Sequence, residues 1–386
     1  MVYLDYNSTT PVDKSVIGSM KEMFDKHFAN PSSTHDAGMH AMDMVDDARE
    51  NVAILLGANT SDVIFTSGAT EANNMIITSL ALNMEENHRL LYGATEHKSV
   101  IEPCQFMGRF GLKALPIAVN PNGTTNLDSL KILLEDDTDM VSIMLANSET
   151  GVINPIKEIS KIVHDAGTIM HSDITQAAGK IPLDIHDLGI DIATCSSHKM
   201  YGPKGVGALI ASREIRRNLT PLIHGGGQEN GLRSGTQNVP GIVGFGVACA
   251  VSYRVMPDES VRQLVMRDNF ESKIRSAISG VTVNGETAER LPNTSNIRIR
   301  DARADAVIIN AENIEISSGS ACTSNTIGPS HVLTAMGLDR MAANESIRIS
   351  LGRHTESSDI ENAVRNIAHA AEFVREKEAT ITESLR

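Results

Sequence analysis

Cysteine is scarce in this chain: four residues in 386, at positions 104, 195, 249 and 322. No two stand at metal-knuckle or Cys-x-x-Cys spacing, and they do not form the dense set that a disulfide framework needs. Cys104, Cys195 and Cys249, in EPCQF, ATCSS and VACAV, read as small buried side chains. Tryptophan is absent, and aromatic residues make up only 3% of the chain. Basic residues are outnumbered by acidic ones, 34 to 48, for a formal net charge of −14. A sequence-independent hold on nucleic acid or anionic lipid requires concentrated Lys and Arg, so neither partner is expected. No apolar run of the ~18 residues that span a bilayer stands out. The opening MVYLDYNSTTP also lacks a charged stretch followed by an apolar one. These absences predict a cytoplasmic protein that acts on small molecules or other proteins.

What is present is an ordinary globular composition, 41% apolar and 21% charged. The chain exceeds the ~250–300 residues at which one core stops growing, which predicts a large and a small domain. Seven β-rich runs, VIFTS (63–67), RLLYGA (89–94), KALPIAV (113–119), MVSIMLA (140–146), TIMHSD (168–173), IATCSS (192–197) and VGALIAS (206–212), alternate with helix-like or turn segments. That pattern predicts an α/β fold with a seven-stranded, mainly parallel sheet covered on both faces. After about residue 255 the character changes to a charged helical stretch, short strands and a last helix with apolar residues at 360, 363, 364, 367, 370, 371 and 374. The expected division is a large domain over 14–255 and a smaller α+β domain from 1–13 and 256–386.

Ligands of parallel sheets gather at the carboxyl ends of the strands, and the polar clusters fall there. Lys199, in SSHKMYGPKG, follows a strand and precedes a Gly/Pro-rich turn. A burial-weakened amine could form an imine with an aldehyde such as pyridoxal phosphate, although a solvated loop lysine is the favoured reading of this residue taken alone. A pyridine nitrogen needs a carboxylate, and HSDITQ supplies Asp173; its alternative role is a helix cap. A phosphate needs N–H groups at a helix start and hydroxyls. TSGATEANN turns from strand to helix at Gly68, Ala69 and Thr70, while Ser196, His198 and Thr236 are further donors. His97, in TEHKSV, could stack on a ring or simply cap a helix. Cys322 differs from the other cysteines because SSGSACTS surrounds it with small hydroxyl residues, a setting suited to a reactive thiol.

The ordered set LDYNSTTPVD, TSGATEANN, TEHKSV, HSDITQ, SSHKMYGPKG, GGGQENGLRSGTQN, SSGSACTS and SIRISLGR resembles cysteine desulfurases of the NifS/IscS type, fold-type I pyridoxal phosphate enzymes. The resemblance implies conversion of L-cysteine to L-alanine, with sulfur passing to Cys322 as a persulfide. It implies Lys199 as the cofactor-linking lysine, Asp173 as partner of the pyridine nitrogen, His97 as the stacking and acid/base histidine, and Gln176 as donor to the phenolic oxygen. Ala69, Thr70, Ser196 and His198 become phosphate ligands. Thr236 becomes a phosphate ligand lent across a homodimer interface, and Arg348 the partner of the substrate carboxylate. Arg353 is expected instead in a surface ion pair. The long-loop form SSGSACTS implies sulfur delivery to an iron–sulfur scaffold or other acceptor protein, for cluster assembly or tRNA thiolation. The sequence departs from the family in two places. Ser148 stands where relatives carry Asn near the phenolic oxygen, with Asn147 beside it as a substrate contact, and the chain ends soon after the last helix, which implies a reduced scaffold contact. The alternatives are a selenocysteine lyase and a catalytically idle sulfur-transfer partner.

Overall fold

All seven β-rich runs form strands in the computed structural model, which describes residues 1–83, 88–318 and 328–384, with side chains of the last helix described to residue 377. The strands are β1 (Val2–Tyr3), β2 (Val63–Thr66), β3 (Arg89–Gly93), β4 (Lys113–Ile117), β5 (Met140–Ser142), β6 (Ile169–Asp173), β7 (Ile192–Ser196), β8 (Gly207–Ala211), β9 (Val281–Val283), β10 (Thr294–Ile299), β11 (Ile314–Glu315) and β12 (Ser346–Ser350). The first six helices are α1 (Lys14–Asp25), α2 (Asp36–Leu56), α3 (Ala69–Leu82), α4 (Lys98–Met107), α5 (Leu127–Leu133) and α6 (Ile156–Asp165). They are followed by α7 (Arg213–Arg216), α8 (Val239–Ala277), α9 (Ala304–Asn310), α10 (His331–Ala335), α11 (Arg340–Asn344) and α12 (Ser357–Ser384).

The large sheet has the order β2-β8-β7-β6-β5-β3-β4. All pairings are parallel except those of β8, which runs antiparallel to both β2 and β7. A strand covered on both faces has no solvent side, so its residues are apolar without alternation. Neighbouring residues still point to opposite faces. Phe65, Leu91, Val141, Ala193 and Ile210 join a core with α2, α6 and the first part of α8. Ile64, Leu90, Met140, Ile192 and Leu209 join the opposite core with α3 and α4.

A separate apolar cluster joins Val2, Leu4, the later part of α8 (Met266, Phe270, Ile274), β10, β12 and α12. Its backbone frame is the antiparallel sheet β12-β10-β9 and the parallel pair β1-β11. On α12, Ile360, Ala363, Ile367, Ala370, Ala371 and Val374 are all buried, and Val364 packs at the edge. α8 runs for 39 residues through Pro257, so the change of composition near 255 falls inside one helix. By length and composition this helix contains a stretch apolar enough to cross a membrane, which the reading of short apolar runs had not singled out. In the fold, 61% of that stretch is buried, because the helix serves as a core element.

One glycine pair brings the sheet close to the start of α3. Gly68 has φ 151°, a backbone conformation that favours glycine. A Cβ on Gly207 would lie 2.4 Å from the carbonyl oxygen of Cys195 and 2.6 Å from Cα of Gly68. Gly207→Ala must therefore push apart β7 or the turn that opens α3. The expected cost is ~1–3 kcal/mol, read as a lowered thermal midpoint; an unchanged melting curve would contradict this packing.

Candidate active site

Because β2, β3, β5, β6 and β7 point the same way, the segments leaving their carboxyl ends converge on one cavity of about 640 Å³. Its walls include Ala69, Thr70, His97, Ser148, Asp173, Gln176, Ser196, His198, Lys199 and Arg348. A larger groove of about 1000 Å³ near Arg49 and Gln237 contains none of these residues. The volume at the strand ends suits a small cofactor with its substrate.

Asp173 ends β6 and is held from two sides. One carboxylate oxygen accepts from the Thr175 N–H at 2.9 Å and the other from Asn73 Nδ2 at 2.9 Å. Asn73 also donates to Ser99 Oγ at 2.9 Å and accepts from Thr194 Oγ1 at 2.6 Å, so the acid sits on a buried polar frame. Behind it, burial pushes the His171 imidazole down to about 4. Asn73 lies four residues after Ala69 on the same helix, and its signal was the second half of TSGATEANN.

Of the two roles left open by its sequence, His97 fills the helix cap. It caps α4, its Nδ1 accepting the Ser99 N–H at 3.1 Å, and it lines the cavity. A neutral ring that accepts at Nδ1 carries its proton on Nε2.

Lys199 is in a single helical turn after β7, and its Nζ donates to the carbonyl oxygens of Asn7 at 2.6 Å and Ser8 at 2.7 Å. Gln176 Nε2 donates to the same Asn7 oxygen at 3.0 Å. At the far end of the cavity, α3 starts from Gly68 with no side-chain cap, leaving first-turn N–H groups available to an anion. Ser196 Oγ lies beside this turn, 3.5 Å from where a Gly68 Cβ would stand. His198 bonds Thr9 Oγ1 at 3.1 Å, and its imidazole is pushed down to about 4, first by burial and then by Lys199, Lys204 and Lys180. The carboxylate, the amine and this anion-receptive end are the donor set that pyridoxal phosphate requires, so the residues fit that group.

Arg348, in the middle of β12, is buried. Its guanidinium reaches Asp5 at 2.6 Å, Ser8 Oγ at 2.7 Å and the Ser148 carbonyl at 3.1 Å. Ser148 thus meets the arginine through its backbone. Asn147 does not line the cavity: its Oδ1 accepts the N–H groups of Glu149 and Thr150, and its Nδ2 donates to the Thr95 carbonyl. That amide is consumed in shaping the turn, which removes the substrate contact expected of it. Arg353 is in an ion pair, as expected, with its guanidinium 3.8 Å from the Asp13 carboxylate; it also lies 4.1 Å from the Tyr201 ring centre and donates to Ser252 at 2.7 Å. Thr236 is exposed and does not line the cavity of its own chain. Cys322 lies outside the described residues. The chain on either side of it abuts the cavity, since Ser317 bridges to Arg348 and Gly328 to Val332 form part of the wall. The other three cysteines are buried, and burial pushes the thiols of Cys104 and Cys195 up to about 12.

Two wall residues that sequence reasoning left without a role are acids. Glu96 bonds the Met144 N–H at 2.5 Å, and burial raises its pKa well above the usual range. Glu149 accepts from Ser330 Oγ at 2.7 Å, and burial lifts it from 4.5 to about 7, against the opposing pull of Ser330 and Arg348. An acid raised on folding binds its proton more tightly in the native state. The stabilisation from that proton is complete below about 4.5 and is lost as pH climbs to about 7. Glu149→Gln keeps an oxygen for Ser330 and has no proton to lose. The variant should gain roughly 2–3 kcal/mol over the wild type between pH 5 and pH 8, measured by urea unfolding. A difference between the two proteins that stays constant with pH would contradict the assignment.

The comparisons with known proteins point the same way. Residues 2–363 match the family model for aminotransferase class V. Cysteine desulfurase IscS of Rickettsia felis is 41% identical over 378 residues, 97% of this chain and 92% of that protein. The X-ray structure of a NifS-like protein from Rickettsia africae superposes with a TM-score of 0.87 at 35% identity, covering 96% of this chain and 99% of that one. A structure described as SspA in complex with cysteine gives 0.81 at 35% identity, covering 91% and 99%. By sequence over nearly its whole length and by fold, the chain belongs to the class-V aminotransferase family.

Proposed function

We propose that the chain is a pyridoxal phosphate-dependent cysteine desulfurase that converts L-cysteine to L-alanine and keeps the sulfur as a persulfide on Cys322. The observation that carries this reading is the convergence of Lys199, Asp173, His97 and Arg348 on one cavity whose wall adjoins both ends of the segment holding Cys322. Pyridoxal phosphate, when bound, supplies an aldehyde for amines and a protonated ring that accepts an electron pair.

The residues of the chain do the rest. Asp173, fixed by Asn73 and Thr175, holds the ring nitrogen proton. The start of α3, Ser196 and His198 would hold the phosphate, and Gln176 would donate to the phenolic oxygen. Lys199, on the cavity wall, would hold the cofactor's aldehyde end and would serve as the base for the substrate Cα proton. His97 presents Nε2–H to the cavity for stacking and proton transfer. Arg348 receives the substrate carboxylate; its planar fork is already oriented by Asp5 and Ser8. The Cys322 thiolate attacks the substrate sulfur, forming an S–S bond as the C–S bond breaks. The carbon keeps that electron pair and, after protonation, leaves as the methyl group of alanine. Atoms balance as enzyme thiol plus cysteine giving enzyme persulfide plus alanine.

Thr236 is exposed and does not line the cavity of its own chain, in accord with a role in the site of a second copy, so we take the working unit as a homodimer. The persulfide then passes to an iron–sulfur scaffold or another acceptor protein. The test is direct. Cofactor-loaded protein given cysteine should release one alanine per sulfur transferred, and Cys322→Ser should keep the cofactor colour while losing sulfide release by at least about a hundredfold. Normal sulfide release from Cys322→Ser would remove Cys322 from the reaction, and a wild type unable to load the cofactor would favour an idle partner.

A further inference from the structure

A second lysine stands behind the one that faces the cavity. Lys180 does not line the large cavity; it borders a small void of about 20 Å³ on the far side of Lys199. Its Nζ donates to Gln176 Oε1 at 2.7 Å and to Asn7 Oδ1 at 2.9 Å. Among the described residues no carboxylate pairs with it. Glu259, on the same small void, is engaged by Arg262 and Gln263. Part of the Lys180 side chain reaches solvent, yet its amine end is desolvated enough to push its pKa well below the ordinary lysine value, with Lys199 and Arg348 pushing the same way. An amine kept in such a place without a counter-ion has a function other than charge pairing.

A charged lysine amine offers donors and no acceptor, and a neutral one still donates, whereas a carboxamide can present either its oxygen or its nitrogen. We propose that Lys180 is a positioning residue of the desulfurase site, which fixes the amide of Gln176 with its oxygen turned away from the cavity and its nitrogen turned toward it. This inference rests on the function proposed above. With Oε1 held by Lys180, Nε2 spends one hydrogen on the Asn7 carbonyl and has the other for the cofactor side. The same amine, with Asn293 Nδ2 at 3.1 Å, saturates Asn7 Oδ1. That orients the Asn7 amide to donate to Ser148 O and Thr294 Oγ1, and it steadies the Asn7 carbonyl that receives Lys199. Without Lys180, Gln176 can turn and offer an acceptor where a donor is needed.

The test is a double-mutant cycle of Lys180→Met and Gln176→Met, with Lys180→Gln as the milder replacement that keeps a donor. Each purified protein is loaded with pyridoxal phosphate. The readouts are the position of the visible absorption band, the cofactor dissociation constant, and kcat and KM for cysteine. Lys180→Met should shift the band in the same direction as Gln176→Met and lower kcat at least about tenfold, with KM changed by less than about threefold. The double variant should add little further, because one change acts through the other. Lys180→Gln should fall between wild type and Lys180→Met. Wild-type band and kcat in the Lys180 variants, or additive effects in the double variant, would overturn the proposal. So would failure of both Lys180 variants to fold, which would make the residue structural. A wild type that loads no cofactor or makes no alanine would refute the desulfurase reading itself, whereas a working wild type with indifferent Lys180 variants refutes only this step.

Discussion

Asn7 is the point at which the two halves of the molecule and the site meet. The residue is 1% exposed, and its backbone and side chain make seven hydrogen bonds, to Ser350, Ser148, Thr294, Gln176, Lys199, Lys180 and Asn293. These partners come from β12, the turn after β5, β10, the segments following β6 and β7, and the loop before β10. A buried polar network of this kind is costly if any member is missing and confers definition when all are satisfied. Here every polar group of Asn7 has a partner, so the N-terminal segment acts as a strut: it holds Lys199 from below and carries Asp5 and Ser8 to Arg348.

The cavity around this strut combines opposite kinds of electrostatics. Lys199, Lys204 and Arg348 place basic side chains on the wall, suited to an anionic ligand. The imidazole of His198 is held neutral by burial and by the lysines near it. Glu96 and Glu149 are pushed toward their neutral forms by burial. Asp173 is the acid that receives two N–H donors, from Thr175 and Asn73. Two carboxyl groups pushed toward their neutral forms and one that accepts hydrogen bonds from both sides set a clear division of labour in a small volume.

How much of this was legible in the sequence follows from how local each signal is. Six of the seven strands could be read because they are buried along nearly their whole length and so largely apolar, whereas β4, mostly exposed at the sheet edge, was read from its β-rich composition. Lys199, Asp173, His97, Ser196 and His198 could be read because each stands at the end of a strand or within a few residues after it. α8 was not legible as one helix, since its halves serve different cores and differ in composition, and Pro257 lies between them. Asn147 misled because its amide closes its own turn. Asn7, Asn73, Lys180, Glu96 and Glu149 stayed without roles because their meaning comes from partners far along the chain, as when Asn7 meets Ser350 across 343 positions. Nothing in a linear pattern says that two such residues will touch.

The central claim is that Lys199, and not the neighbouring Lys180, is the amine that meets the cofactor, because of these two lysines Lys199 alone borders the large cavity. Borohydride reduction of the pyridoxal phosphate-loaded protein, followed by peptide mass spectrometry, tests it directly. The account predicts the reduced phosphopyridoxyl group on the peptide containing Lys199. The group on Lys180, or on no lysine at all, would contradict it.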